Sequence, residues 1–432
     1  MRFQALFEAQ ENRLNGQQGS ALHQFRRKAL GLLEEVSFPT RRDEEWKYTS
    51  INRLLQADYT VGESPRITEA DIRPFLIPGL DCHLFVFVNG QLQESISHCG
   101  PFADGLSVKT IASALEEEGA EEVETILTEM LEGQKDAFKV LNAAFASNGL
   151  LIKASRNAAV KKPLYLLHLA APGTNVPFNN HMNLTIAEPN SDLSVMEGYF
   201  QLPGSQGSYF HNQFSYIQAG ENAHVHQYRL QKEGLEGFLV SNTEVEQDGN
   251  STFTSFALDL GGRLVRNNLR TKLKAPGTTT NYWGTYFAKG EQHIDNHTFI
   301  DHAVPHCVSN ELYKGIVTDK ATGVFNGKVL VRKDAQKTNA FQQNSSLVLS
   351  EKAAMDTKPE LEIFADDVRC SHGATIGQLD ESAVFYLRSR GLPDADARAM
   401  LQHAFLGEVA ENIKLEAVRS FTEQLVHSKF EE

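Results

Sequence analysis

The spacing of apolar positions changes character twice along the chain. Between Ala21 and Val36, the residues Leu22, Phe25, Ala29, Leu32, Leu33 and Val36 fall on one helical face, and Ser37-Phe38-Pro39-Thr40 ends the run. A second such stretch covers 121–147, with Val123, Ile126, Leu127, Met130 and Leu131 on one side. Between them, Leu84-Phe85-Val86-Phe87-Val88-Asn89-Gly90 predicts a strand ending in an Asn-Gly turn. Residues 1–150 therefore read as a mixed, mostly helical region.

From 151 to 391 the helical stripe gives way to short β-rich runs separated by turns. Pro189-Asn190-Ser191-Asp192, Gly220-Glu221-Asn222-Ala223 and Asp248-Gly249-Asn250-Ser251 share one form, a turn followed by alternation. Asn190 and Asn222 lie 32 residues apart, Asn222 and Asn250 lie 28 apart, and Gly277 follows 27 later. A period of this length marks stacked coils, each burying its face against its neighbours. The expected architecture is a β-solenoid, with a sandwich as the alternative. Helical spacing returns over 392–432. Asp394 is expected to cap a helix carrying Ala397, Met400, Leu401, Ala404, Phe405, Val409 and Ile413. A second stretch, Leu415 to Val426, carries Val418, Phe421, Leu425 and Val426. Such a pair either packs on its own chain or receives a partner.

The chain's 432 residues suit two or three domains, and 41% hydrophobic with 22% charged residues suits a globular protein. A formal net charge of −14 argues against nucleic acid as a partner, which would require a basic face. No apolar run approaches the ~18 residues of a membrane span, and Met1 to Glu8 lack the apolar core of a signal peptide. The four cysteines, Cys82, Cys99, Cys307 and Cys370, are scattered without a CxxC pair. This usage fits the reducing cytoplasm, with Cys82 and Cys99 as structural residues.

Nucleotide chemistry finds no motif. Gly323-Val324-Phe325-Asn326-Gly327-Lys328-Val329 is one residue short of a phosphate loop and ends in Val329 where Ser or Thr would hold magnesium. The stretch HIDNHTFIDHAVPHC, 293–307, concentrates His293, His297, His302, His306 and Cys307 with Asp295 and Asp301. On a strand, His293, Asp295 and His297 share a face, which suits either a metal-dependent hydrolase or the wet side of a coil. His224, His226 and Tyr228 alternate likewise and read as a solvent or interface face. Asp295, Asp301, Asp366 and Asp367 could serve a carbohydrate-active β-helix enzyme, although only 2 Trp are present to stack on sugars. Trp46, Lys47 and Tyr48 read as an anchor, and Lys314 as a structural lysine.

The remaining candidate is FADDVRCSHGAT, 364–375. On a strand, Cys370 and His372 point to one side about 7 Å apart. That is too far for a nucleophile and its base, which need ~3 Å. Thiolate and imidazole are, however, ligands for iron in iron–sulfur clusters, and two ligands leave a set to be completed from elsewhere.

Several segments together carry a resemblance. ADDVRCSHGAT with FYLRSRG (385–391), RRDEEWKYTSI (41–51), NELYKGIV (310–317), KTNAFQQNSSLVLS (337–350) and ARAMLQHAFLGEVAENI (397–413) resemble the SufD branch of the SufB/SufD family, scaffold subunits of iron–sulfur cluster assembly. The resemblance implies a right-handed parallel β-helix between a helical amino-terminal part and a helical tail. It implies a non-enzymatic scaffold that pairs with a SufB-like chain and binds a SufC-like ATPase through the tail, at Met400, Leu401, Phe405 and Val409. A homodimer of the chain alone is left open. It also implies that His372, with Cys370 as the less certain ligand, contributes to a transient iron–sulfur cluster at the subunit interface, with none stably held by the chain alone. Ser371 and Gly373 fit the SufD branch better than the SufB branch.

Overall fold

The computed structural model describes residues 2–11, 19–61 and 64–431. Its central element is a β-solenoid of about 8 turns, built as two ten-stranded sheets to which successive strands contribute in alternation. The first sheet ends with Leu264–Leu273, His293–His302, Thr322–Val331 and Ala354–Ile363. The second ends with Thr279–Ala288, Val308–Val317, Asn339–Val348 and Arg369–Gly377. Neighbouring coils pair in parallel and in register: Glu311 lies beside Gln342, and Gln342 beside His372. Each side chain therefore stacks on its counterpart at the strand spacing of ~4.8 Å.

The asparagine repeat is a corner of the coil. Asn157, Asn190, Asn222 and Asn250 adopt φ of 63°, 62°, 57° and 57°. Asparagine tolerates this left-handed conformation better than most side chains. Their amides donate to the next coil, Asn190 to the Glu221 carbonyl at 2.8 Å and Asn222 to that of Gly249 at 2.8 Å. The side chains form a ladder as well, from Asn222 Nδ2 to Asn190 Oδ1 at 3.0 Å and from Asn190 Nδ2 to Asn157 Oδ1 at 2.8 Å. Gly277, His306 and Lys337 continue the same corner with φ of 81°, 62° and 62°.

The two ends of the solenoid differ. At the amino-terminal end, Leu106–Thr110 pairs antiparallel with Leu150–Ala154, and the Asn89-Gly90 turn folds Gln91–Leu92 back on His83–Val88. The predicted helix over 21–36 is Ala21–Glu35, opened by the Ser20 hydroxyl accepting from the His23 amide at 3.2 Å. The stretch at 121–147 divides into Glu121–Leu131 and Ala137–Ala144. These helices share one apolar core with Phe178, Phe210, Phe238 and Leu264 of the first sheet. At the other end, Ala354–Ile363 and Arg369–Gly377 are the last strands of their sheets, with no strand beyond them among the described residues.

Helix resumes at Glu381–Ser389, earlier than the expected 392, and continues as Asp394–Ala410 and Glu416–Glu431. Asp394 does not cap. Pro393 holds the N-cap position without a side-chain bond, and Asp394 opens the helix, pairing with Arg398 at 2.9 Å and Arg388 at 3.3 Å. The last two helices lie on the second sheet, where Leu406, Val409, Ala410, Ile413, Val418, Phe421 and Val426 join Tyr228, Leu230, Phe256 and Leu258 in one core.

The space between the sheets is partly polar. His168 and His181 are fully buried with ring centroids 4.0 Å apart, and no ring nitrogen of either has a hydrogen-bond partner among the described residues. Burial drives both imidazoles well below their ordinary pKa, so they stay neutral. Glu311 is buried too, and its Oε2 accepts from Gln342 Nε2 at 2.7 Å. Burial pushes its carboxyl up to about 7, against interactions with Thr298 and Gln342 that pull it down. The folded chain thus keeps this proton to about pH 7, whereas the unfolded chain releases it near 4.5. Ionisation consequently favours unfolding as pH rises across that window. Glu311→Gln should gain stability relative to the parent between pH 5 and pH 8, by up to about 3 kcal/mol. Urea midpoints at the two pH values measure this, and an equal difference at both would contradict the buried, protonated carboxyl.

Candidate functional site

Cys370 and His372 lie on Arg369–Gly377, the terminal strand of the second sheet. Register puts Cys370, His372, Ala374 and Ile376 beside Ala340, Gln342, Asn344 and Ser346, all four of which are buried inside the solenoid. The terminal residues continue those inward columns but have no coil above them. His372 is accordingly exposed and Cys370 half-buried. Cys370 packs beside Val329, Val331, Ala335, Ala340 and Ala365, and burial raises its thiol pKa. The imidazole is open to a neighbour, whereas the thiol is kept protonated against the chain's own apolar end. At the coil end, Ile363, Phe364 and Ile376 are 39%, 62% and 51% exposed, and Phe341, one strand in, is 46% exposed. Large apolar groups gathered at an unpaired sheet edge mark a surface suited to association. Asp367 belongs to the asparagine corner: its carbonyl accepts from the Lys337 amide at 2.6 Å, and its carboxylate pairs with Lys337.

The 293–307 stretch serves a different purpose. His293, Asp295 and His297 do share the outer face of their strand, and the segment around Trp46 covers them. Asp295 accepts from Arg266 Nη1 at 2.6 Å and from the Thr49 hydroxyl, and its other oxygen lies 3.0 Å from His297 Nε2. Thr49 also meets His293 Nε2 at 2.8 Å, and Glu45 meets His297 Nδ1 at 3.3 Å. Burial alone would raise the Asp295 carboxyl, but Arg266 and His297 outweigh it and hold the group ionised well below the usual range. Trp46 is buried between Phe138, at 5.4 Å, and the Arg266 guanidinium, at 4.3 Å. The cluster thus clasps the amino-terminal segment. Asp301 is held by two bonds from Arg332, at 2.8 and 2.7 Å. Among the described residues, no group of three or more His, Cys, Asp and Glu side chains is set to hold a metal ion.

The tail residues divide. Val409 is fully buried against the second sheet and Phe405 half-buried beneath the Lys314 ammonium, 4.8 Å from its ring. Lys314 also pairs with Glu408, so this lysine straps the helix to the solenoid. Val409 is therefore a core residue and not a contact surface, because the buried stripe runs through Leu406, Val409, Ala410 and Ile413. Leu401 is half-buried, and Met400 is 56% exposed. His226 and Tyr228 lie under the same helices, while His224 stays exposed. Burial lowers the His226 imidazole to about 4, and its Nε2 lies 3.3 Å from Lys414 Nζ.

Two features escaped the sequence reading. Phe385 and Tyr386, 72% and 56% exposed, lie on the helix Glu381–Ser389, where the sequence predicts the β region to continue. Glu311 and Gln342 form a buried pair behind His372, and the three follow one another at one-coil intervals. Extending the repeat past Gly277 would have aligned them.

Comparison with known proteins agrees with this geometry. Residues 170–405 match the family model described as SUF system FeS cluster assembly, SufBD core domain, and residues 1–166 match that of the SufBD protein N-terminal region. An iron–sulfur cluster assembly SufBD family protein of Synechocystis is 34% identical, over 96% of this chain and 92% of its own. The iron–sulfur cluster assembly protein SufD of Escherichia coli is 30% identical over 96% and 92%, and that of Bacillus subtilis 26% over 96% and 95%. With an unfinished solenoid end bearing the Cys-Ser-His strand and with both family regions matched along its length, this chain belongs to the SufBD family of iron–sulfur cluster assembly proteins.

Proposed function

We propose that the chain is a non-enzymatic scaffold subunit that pairs end to end with a SufB-like chain in the cytoplasm. At the junction, His372 lends an imidazole to a nascent iron–sulfur cluster. The observation that carries this reading is the exposed His372 on an inward column of an uncapped coil. An inward column supplies a fixed direction, and the missing coil supplies access. A partner abutting the same edge would complete the ligand set and cover Phe341, Ile363, Phe364 and Ile376. Split ligation suits release, because a site shared between two chains loses its hold when they move apart. Cys370, half-buried with a raised thiol pKa, is the weaker ligand of the two. The cluster is cargo, not a resident group.

The energy for such movement would come from a SufC-like ATPase docking on the carboxy-terminal helices. Exposed Phe385, Tyr386 and Met400 support this surface, whereas Val409 and Ile413 tie the helices to the solenoid and would carry force to it.

His372→Ala should reduce iron–sulfur enzyme maturation in cells at least about tenfold while the partner complex still purifies intact, since the side chain is exposed and holds no core. Full maturation in that variant would remove His372 from the site. For the tail, Met400→Asp should weaken ATPase capture in a pull-down without shifting the melting temperature. Val409→Ala, by contrast, should lower stability by about 1–3 kcal/mol through a cavity. Unchanged capture by Met400→Asp combined with Phe385→Asp would contradict docking on this face.

A further inference from the structure

Behind His372 the second sheet stacks Gln342 and then Glu311 in one inward column. The Gln342 amide is 4% exposed, and its Nε2 donates to Glu311 Oε2 at 2.7 Å. That bond fixes the amide and leaves Gln342 Oε1 buried with no hydrogen-bond partner among the described residues. A buried acceptor left unpaired is costly, so a donor within reach is expected to fill it. The next side chain in the column, one strand spacing of ~4.8 Å away, is the His372 imidazole. An imidazole that ligates through one ring nitrogen needs an acceptor for the N–H on the other, which sets both tautomer and ring direction.

We infer that Gln342 is a positioning residue for His372: its Oε1 accepts the imidazole N–H from inside the coil, and Glu311 holds the amide in the orientation that makes this acceptor available. The inference rests on the ligand reading of His372 for its purpose, but the hydrogen bond itself does not. The arrangement faces the imidazole's other nitrogen outward, toward whatever abuts the coil end. Neither Gln342 nor Glu311 touches the cargo.

The test uses the full-length chain labelled with 15N-histidine, the His372 signals being assigned from His372→Ala. The parent chain should show a ring N–H of His372 protected from solvent exchange at neutral pH, as an exposed imidazole without an acceptor would not. Gln342→Leu, similar in volume but without the acceptor, should lose that signal and lower in-cell maturation at least about fivefold. Gln342→Glu, which keeps an acceptor oxygen, should restore both. Absence of a protected N–H in the parent chain would overturn the inference whatever the variants do, because water then satisfies Gln342. Parent-like maturation and N–H protection in Gln342→Leu would overturn it as well. Full maturation in His372→Ala would instead defeat the ligand reading, leaving the N–H measurement to decide the hydrogen bond separately.

Discussion

Everything in this molecule follows from parallel strands stacking in exact register from coil to coil. Register turns the linear chain into columns, so that a residue's surroundings are set by residues one coil before and after it. The asparagine corner shows the rule at its simplest, where the Asn222 amide bonds to the coil ahead, at Gly249, and its side chain to the coil behind, at Asn190. The interior shows its chemical use: Glu311, Gln342 and His372 occupy one column and pass from buried to exposed as the solenoid runs out.

The outer faces of the two sheets are finished by segments distant in sequence. Around Trp46, a cation over an indole, a buried ion pair and two histidines secure the amino-terminal segment on the first sheet. On the second, Lys314 and an apolar stripe hold the closing helices. The amino-terminal segment reaches the last coil through Glu44 and Lys358, 2.7 Å apart, yet His372 on that coil stays exposed. The carboxylates and imidazoles of 293–307, chemically richer on paper, are consumed in holding the chain to itself.

The sequence disclosed whatever depends on local stereochemistry. Asn190, Asn222 and Asn250 are visible because left-handed corners favour asparagine, and Leu84 to Gly90 because a short apolar run ends in a turn-forming pair. The exposed Cys-Ser-His strand was legible through its two-residue spacing and its resemblance to a family. Features that depend on distant neighbours were hidden. Asp295 meets Thr49 across 246 residues, so nothing near it announced a clasp in place of a metal site. Met400 and Val409 both fit a helical stripe, and only the solenoid surface beneath decides which of them is covered. Asp394 has the chemistry of a cap, but Pro393 takes the position ahead of it. Phe385 and Tyr386 carry strand-favouring side chains, yet their segment lies past the last coil and coils into a helix instead.

The contrast between the two solenoid ends has one more consequence. Antiparallel strands finish both sheets at the amino-terminal end, whereas parallel strands finish them at the far end. A contact made through the far end alone would close at two chains instead of growing into a fibre.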